Sequence, residues 1–106
     1  MPDAIMIYVT ATDYDAAQTL ASHLLEHNFV ACANIFQPHT ALYRWEGHVE
    51  AEPETAMILK STSACYQQIE DEIARIHSYD CPCVVSWHID QGYIPFLEWI
   101  GEECRS

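Results

Sequence analysis

Residues 40–60 read T-A-L-Y-R-W-E-G-H-V-E-A-E-P-E-T-A-M-I-L-K, and this stretch decides the fold. Residues 40–45 are typical of a strand, and Glu46-Gly47 then predicts a tight turn in which the glycine supplies the unusual backbone angle. Because proline cannot donate to a ladder, Pro53 is expected to break the returning strand into two pieces. The resulting hairpin has a tip that is too polar and too long to cover one small core.

The segments before the hairpin predict a strand, a helix and a second strand. Residues 4–9 form a continuous apolar run, which suits a strand buried on both faces. Thr12-Asp13-Tyr14-Asp15 resembles a capping box, and apolar residues recur behind it at helical spacing, so residues 13–27 are predicted to be helical. Residues 30–36 predict a second apolar strand, which Gln37-Pro38-His39 interrupts.

The segments after the hairpin predict two helices around a strand. Thr62 or Ser63 can cap the second helix. Its apolar stripe consists of Tyr66, Ile69, Ile73 and Ile76. Residues 84–89 predict another strand, and Pro95 suits the first turn of a last helix. The expected buried face of that helix consists of Tyr93, Phe96, Leu97, Ile100 and Cys104.

The order of these elements is β-α-β-β-α-β plus a C-terminal helix. This order predicts the α+β class and a ferredoxin-like, split β-α-β sandwich, in which helices cover one face of an antiparallel sheet. The 106 residues suffice for one domain, residues 1–106, and are too few for two.

The charge of the chain restricts its partners. Sixteen acidic residues oppose four basic ones, which gives a net charge of -12. A chain this acidic lacks the basic footprint that nucleic acids and anionic membrane surfaces require, so neither is expected as a partner. Metal ions are favoured by the field, although solubility alone can explain the charge.

The N-terminal residues and the apolar runs predict where the protein is located, and the location predicts the state of its cysteines. The start, Met1-Pro2-Asp3, lacks the features of a signal peptide, and no apolar run approaches the length of a membrane span. We therefore expect a cytoplasmic protein, in which thiols stay reduced. Five cysteines are an odd number, so a complete internal disulfide framework is impossible.

Two tryptophans stand where a monomer would expose them. Trp99 lies off the apolar stripe of the last helix, and Trp45 lies at the hairpin tip. Exposed aromatic surface of this kind usually marks an interface, so both residues are predicted to lie at contacts between subunits of an oligomer.

Three motifs in this chain resemble signatures of one family. They are A-C-A-N-I at 31–35, Y-R-W-E-G at 43–47 and H-S-Y-D-C-P at 77–82. In this order and on these elements they resemble the A-C-x-N-I, Y-x-W-x-G and H-P-Y-x-x-P signatures of the CutA (divalent-cation tolerance) family. The resemblance extends from about Ile5 to Glu103.

The resemblance implies a homotrimer built like the PII signalling proteins, whose hairpins pair with neighbouring subunits. It also implies a link to tolerance of divalent metals. Some members bind copper, so copper is the metal that the resemblance points to, and no cofactor is expected to be required. By the same analogy, a cleft between subunits would be lined by Tyr43, Trp45, Tyr79 and Asp80, although structural packing at the trimer contact is the favoured role for them.

The resemblance also singles out candidate metal ligands. Cys32 and His77 match family positions associated with metal, and thiolate with imidazole suits copper or zinc. Packing alone could also explain Cys32. Where some members carry a strand-one cysteine, this chain has Val9, so such a site would lack a ligand. Cys81 and Cys83 are two residues apart and would face the same way on an extended strand, which suits one soft ion; the alternative is two independent thiols.

Three functions remain in competition. The first is a trimer that binds or responds to metal ions, and the second is a signalling or scaffold trimer that binds a small ligand or a partner protein. The third, an enzyme, is not expected. The first loop, Thr10-Ala11-Thr12-Asp13, carries neither an arginine nor a glycine cradle for phosphate, and no common catalytic motif occurs.

Overall fold

A computed structural model describes residues 3–77 and 81–105 of the chain. Its elements follow the order expected from the sequence. They are β1 (Ala4–Ala11), α1 (Tyr14–Glu26), β2 (Cys32–Ile35), β3 (His39–Trp45), β4 (His48–Thr62), a 3-10 turn (Ser63–Cys65), α2 (Tyr66–Ile76), β5 (Val84–His88) and α3 (Ile94–Glu103). The fold is therefore the α+β, ferredoxin-like arrangement with a terminal helix, as predicted.

The sheet is antiparallel and has the order β2-β4-β1-β5, with β3 paired to the outer half of β4. β1 is central: Ile7 lies opposite Leu59 of β4 on one side and Ser86 of β5 on the other. β2 and β5 are the two edges. This strand order places β1 beside β5, although about 70 residues separate them in sequence. Local sequence patterns alone therefore do not predict the strand order.

The main core lies between the sheet and the first two helices. Alternate residues of β1, beginning at Ile5, face α1 and α2 and are fully buried, as are Met57 and Leu59 on β4. Ile69 and Ile73 close the core from α2, as predicted, whereas Ile76 at the helix end stays partly exposed. The alternate residues of the strands and the apolar stripe of α2 thus pack together in one apolar layer.

The caps of the helices differ from expectation. Asp13, rather than Thr12, caps α1, and its carboxylate accepts a hydrogen bond from the Ala16 amide at 2.8 Å. A 3-10 turn precedes α2, and Thr62 makes no capping hydrogen bond within the described chain. The Ser63 hydroxyl instead donates to the Asp3 carboxylate at 2.9 Å, because the turn brings it beside the start of β1.

The hairpin forms without the break expected at Pro53. Glu46 and Gly47 have φ angles of 49° and 83°, which are those of a two-residue turn that matches strand twist. Such a turn makes Trp45 and His48 a hydrogen-bonded pair. From there along the hairpin, opposite residues alternate between pairs that exchange hydrogen bonds and pairs that do not. Pro53, opposite Thr40, therefore falls in a pair that exchanges no hydrogen bonds, so β4 continues through it.

The last helix buries less than its sequence stripe predicts. Leu97 and Ile100 pack against Ala4 at the end of the sheet, in a second, smaller core. Tyr93 and Phe96 were expected on the same buried face, but they are 77% and 39% exposed. Phe96 contacts the sheet only through the Lys60 ammonium, 5.6 Å from the centroid of its ring, so much of the ring stays exposed.

Candidate functional site

One face of the sheet is covered by neither α1 nor α2, and α3 reaches it only at one end, where the Lys60 ammonium lies 5.6 Å from the centroid of the Phe96 ring. Residues that alternate with the core residues point away from α1 and α2, and we call the surface they form the open face. It consists of Met6, Tyr8, Ile58, Lys60, Val85 and Trp87. Trp87 and Val85, on edge strand β5, are 44% and 52% exposed. An apolar sheet face of this kind usually marks a contact with another molecule.

The hairpin continues this apolar surface beyond the body of the sheet. Leu42 and Val49 are 73% and 67% exposed on one side of it, and Tyr43 and Trp45 are exposed on the other. Partial burial raises the pKa of the Tyr43 hydroxyl, and the carboxylates of Glu52, Glu50 and Glu54 raise it further. The hairpin thus presents apolar side chains on both sides, which a single chain leaves in water.

The two tryptophans predicted at subunit contacts are both partly exposed in the single chain. Trp45 is 50% exposed at the hairpin tip. Trp99 is 37% exposed and stacks on Phe96 with ring centroids 5.6 Å apart. Their contact with other subunits remains a prediction. Sequence reasoning missed Trp87, whose position on the open face depends on the strand order; its only signal was a third tryptophan in a strand beside Val85.

Cys32 and His77 do not come together within one chain. Cys32 lies on edge strand β2, opposite Lys60, which in turn lies opposite Met6. His77 ends α2, and its imidazole donates to the Thr10 carbonyl at 2.6 Å. Thr10 is four residues along β1 from Met6, about 13 Å, and Cys32 is two strands away, about 10 Å. The pair therefore does not fit a metal site within a single chain.

Cys81 and Cys83 both lie exposed at the start of β5. The Cys83 carbonyl accepts a hydrogen bond from the Thr10 amide at 3.4 Å, which extends the β1–β5 ladder by one residue. Burial raises the pKa of the Cys83 thiol, with smaller contributions from Glu54 and Cys81, while a hydrogen bond from the Thr10 side chain opposes this rise. The two other residues expected in the cleft, Tyr79 and Asp80, lie outside the described residues.

Among residues 3–77 and 81–105, no group of three or more histidine, cysteine and acidic side chains is arranged to hold a metal ion. The His23 and His27 rings are near each other, with centroids 4.3 Å apart. The imidazole of His23 already contacts the Glu72 carboxylate at 2.7 Å, however, and this contact ties α1 to α2.

A shallow cavity of about 280 Å³ opens between the end of β1, the first half of α1 and the end of α2. Its lining is mostly apolar and includes Leu20 and Ile76, and Thr12, Asp15 and His77 contribute polar groups. It lies at a different place from the cleft expected around Tyr43.

Comparison with known proteins identifies the family. Residues 5–103 match the model of the CutA1 divalent ion tolerance protein family. The chain belongs to the CutA1 family. It is 42% identical to the divalent-cation tolerance protein CutA of Archaeoglobus fulgidus over 91% of this chain and 93% of that one. It is 32% identical to the protein of the same name from Pyrococcus horikoshii, over 95% of this chain and 98% of the other.

Solved CutA1 structures share the fold of this chain. CutA1 from Oryza sativa superposes with a TM-score of 0.95 at 29% identity, covering 98% of this chain and 95% of that one. A structure described as the periplasmic divalent cation tolerance protein CutA from Archaeoglobus fulgidus gives a TM-score of 0.91 at 40% identity, covering 94% and 97%. In the described part of this CutA1 chain, no helix is long and apolar enough to cross a membrane.

Proposed function

We propose that this CutA1 chain acts as a homotrimer in the cytoplasm and contributes to the tolerance of divalent cations, with copper as the first candidate ion. The observation that carries the proposal is the open face. It is an apolar surface in a chain whose net charge is -12. A strongly acidic chain resists association, so it needs an apolar contact area to assemble at all.

The geometry favours copies of the same chain as the partner of that face. Edge strand β5 and the protruding hairpin both offer unpaired backbone groups beside exposed apolar side chains, which is the arrangement that strand addition between subunits uses. A closed ring of copies removes both edges from water. The family resemblance supplies the number three.

The role in cation tolerance rests on the family and on the acidic surface, and the chain is proposed to bind rather than to catalyse. Its test is the growth of host cells that lack the chain in graded copper, zinc and cadmium salts. Lower tolerance that the parent chain restores supports the proposal. Tolerance that does not change when the chain is removed contradicts it.

A second function, a trimer that binds a small ligand and signals its presence, is favoured by the cavity beside His77. Ligand-induced stabilisation distinguishes the two functions. A panel of small polar metabolites that raises the unfolding temperature, together with metals that leave it unchanged, would place this function ahead of cation tolerance.

A further inference from the structure

The segment Cys81-Pro82-Cys83 places two thiols directly before edge strand β5. Both cysteines are reduced and exposed. The hydrogen bond from the Thr10 amide to the Cys83 carbonyl, 3.4 Å long, fixes the second cysteine against the central strand. Pro82 between them restricts the backbone, since its ring fixes one dihedral angle. In the single chain both thiols are therefore accessible; Cys83 is held against β1, and Cys81 lies in the bend before it.

The surroundings of the pair supply one donor and one further acceptor. By its place in the register, Cys83 lies on the same side of the sheet as Thr10, whose hydroxyl hydrogen-bonds to the Cys83 sulfur. Glu54 is close enough to interact electrostatically with Cys83, but it also contacts His39 at 3.3 Å. The two sulfurs remain the available ligands.

The number and softness of these ligands select the ion. Zinc in structural sites takes four ligands, and hard cations take six or more oxygens. The described residues offer no group of three or more ligand side chains. Two thiolates without further ligands suit a soft ion of low coordination number, and soft sulfur selects copper in its monovalent state.

We propose that Cys81 and Cys83 together bind one Cu(I) ion per chain as a two-thiolate site. On binding, each thiol releases its proton to solvent and each sulfur forms one bond to the ion, with no change in the oxidation state of copper or sulfur. The inference rests on the proposed role in cation tolerance for its biological meaning. Its test is a binding measurement, so the failure of either proposal leaves the other distinguishable.

The test is anaerobic competition of the full-length, reduced protein with a chromophoric chelator that buffers Cu(I). The parent is expected to bind one Cu(I) per chain, with thiolate-to-copper absorption in the ultraviolet. Cys81→Ser and Cys83→Ser should each weaken binding more than tenfold, because each removes half of the ligands. Cys104→Ser is the matched control, a half-buried thiol outside the pair, and should bind as the parent does.

Three results would overturn the proposal. The first is a parent that does not bind Cu(I), and the second is a pair of single variants that both bind within twofold of the parent. The third is a parent that, before copper is added, contains three free thiols rather than five, since the pair would then be a disulfide rather than a copper site.

Discussion

Trp87 offers the sharpest test of the open face, because its environment in one chain differs from its proposed environment in the trimer. It is 44% exposed in the single chain. A tryptophan side chain can bury about 250 Å², so covering the exposed part would remove roughly 100 Å² from water. At about 25 cal/mol per Å², that burial contributes about 2.5 kcal/mol per subunit and about 7.5 kcal/mol per trimer.

Trp87→Ala should therefore weaken the trimer strongly. Because trimer dissociation depends on the square of the protein concentration, about 7.5 kcal/mol raises the midpoint of dissociation by up to roughly 500-fold. Dilution followed by mass photometry or analytical ultracentrifugation measures this midpoint. The control is Tyr14→Ala, since Tyr14 is also 44% exposed but begins α1 on the opposite side of the sheet.

The control makes the result decisive. If the open face is covered, only Trp87→Ala shifts the midpoint, and the Tyr14→Ala protein dissociates as the parent does. Equal midpoints for both variants and the parent would refute the reasoning, because two side chains of equal exposure would then have equal and small effects.

Three further predictions concern the single chain. Hydrogen bonds from Arg75 and then from His23 lower the pKa of Glu72 below its ordinary value, so the carboxylate stabilises the fold at neutral pH and this contribution is lost as the pH falls through the lowered pKa. In urea unfolding, Glu72→Gln should therefore be less stable than the parent near neutral pH and equally stable in acid. A difference in stability that persists in acid would count against this. The Thr55 hydroxyl is buried and has no hydrogen-bond partner among the described residues, so Thr55→Val should raise the free energy of unfolding by about 1 kcal/mol, whereas a decrease would reveal a partner. Thiol titration of the unfolded protein under non-oxidising conditions should return five thiols per chain, and a value of three would mean a disulfide.

The sequence predicts the elements of the fold because their signals are local. The apolar run at 4–9, the helical spacing behind Asp13 and the Glu46-Gly47 turn each act within a few residues. Pro53 misled because the effect of a proline depends on whether its position in the ladder needs a donor. Whether Pro53 falls in a hydrogen-bonded pair is set by the number of residues between it and the turn at Glu46. The pairs must therefore be counted from the turn before the effect of the proline can be predicted.

The packing of α3 and the open face depend on contacts that no local pattern contains. Helical spacing places Tyr93 and Phe96 beside Leu97, yet Leu97 packs against Ala4 while Tyr93 and Phe96 stay exposed. Likewise, Val85 and Trp87 look like buried strand residues until the strand order places β5 at an edge. A short apolar run has the same sequence pattern in both settings.

The candidate metal ligands show the same limit. Family motifs align Cys32 and His77 with positions linked to metal, but motif spacing does not say which face of the sheet or which end of a strand a residue occupies. The register separates these two residues within one chain. The spacing of Cys81 and Cys83 is a local signal that does not depend on the strand register, and Cys81 lies in a bend before β5.

The mass of the native protein tests the central claim most directly. Light scattering at micromolar concentration, coupled to size-exclusion chromatography, should give three times the chain mass of 12.1 kDa, because assembly covers the open face and the hairpin. A single species at 12.1 kDa that persists at high concentration would contradict the claim, since the apolar open face would then be stable in water without a second copy of the chain.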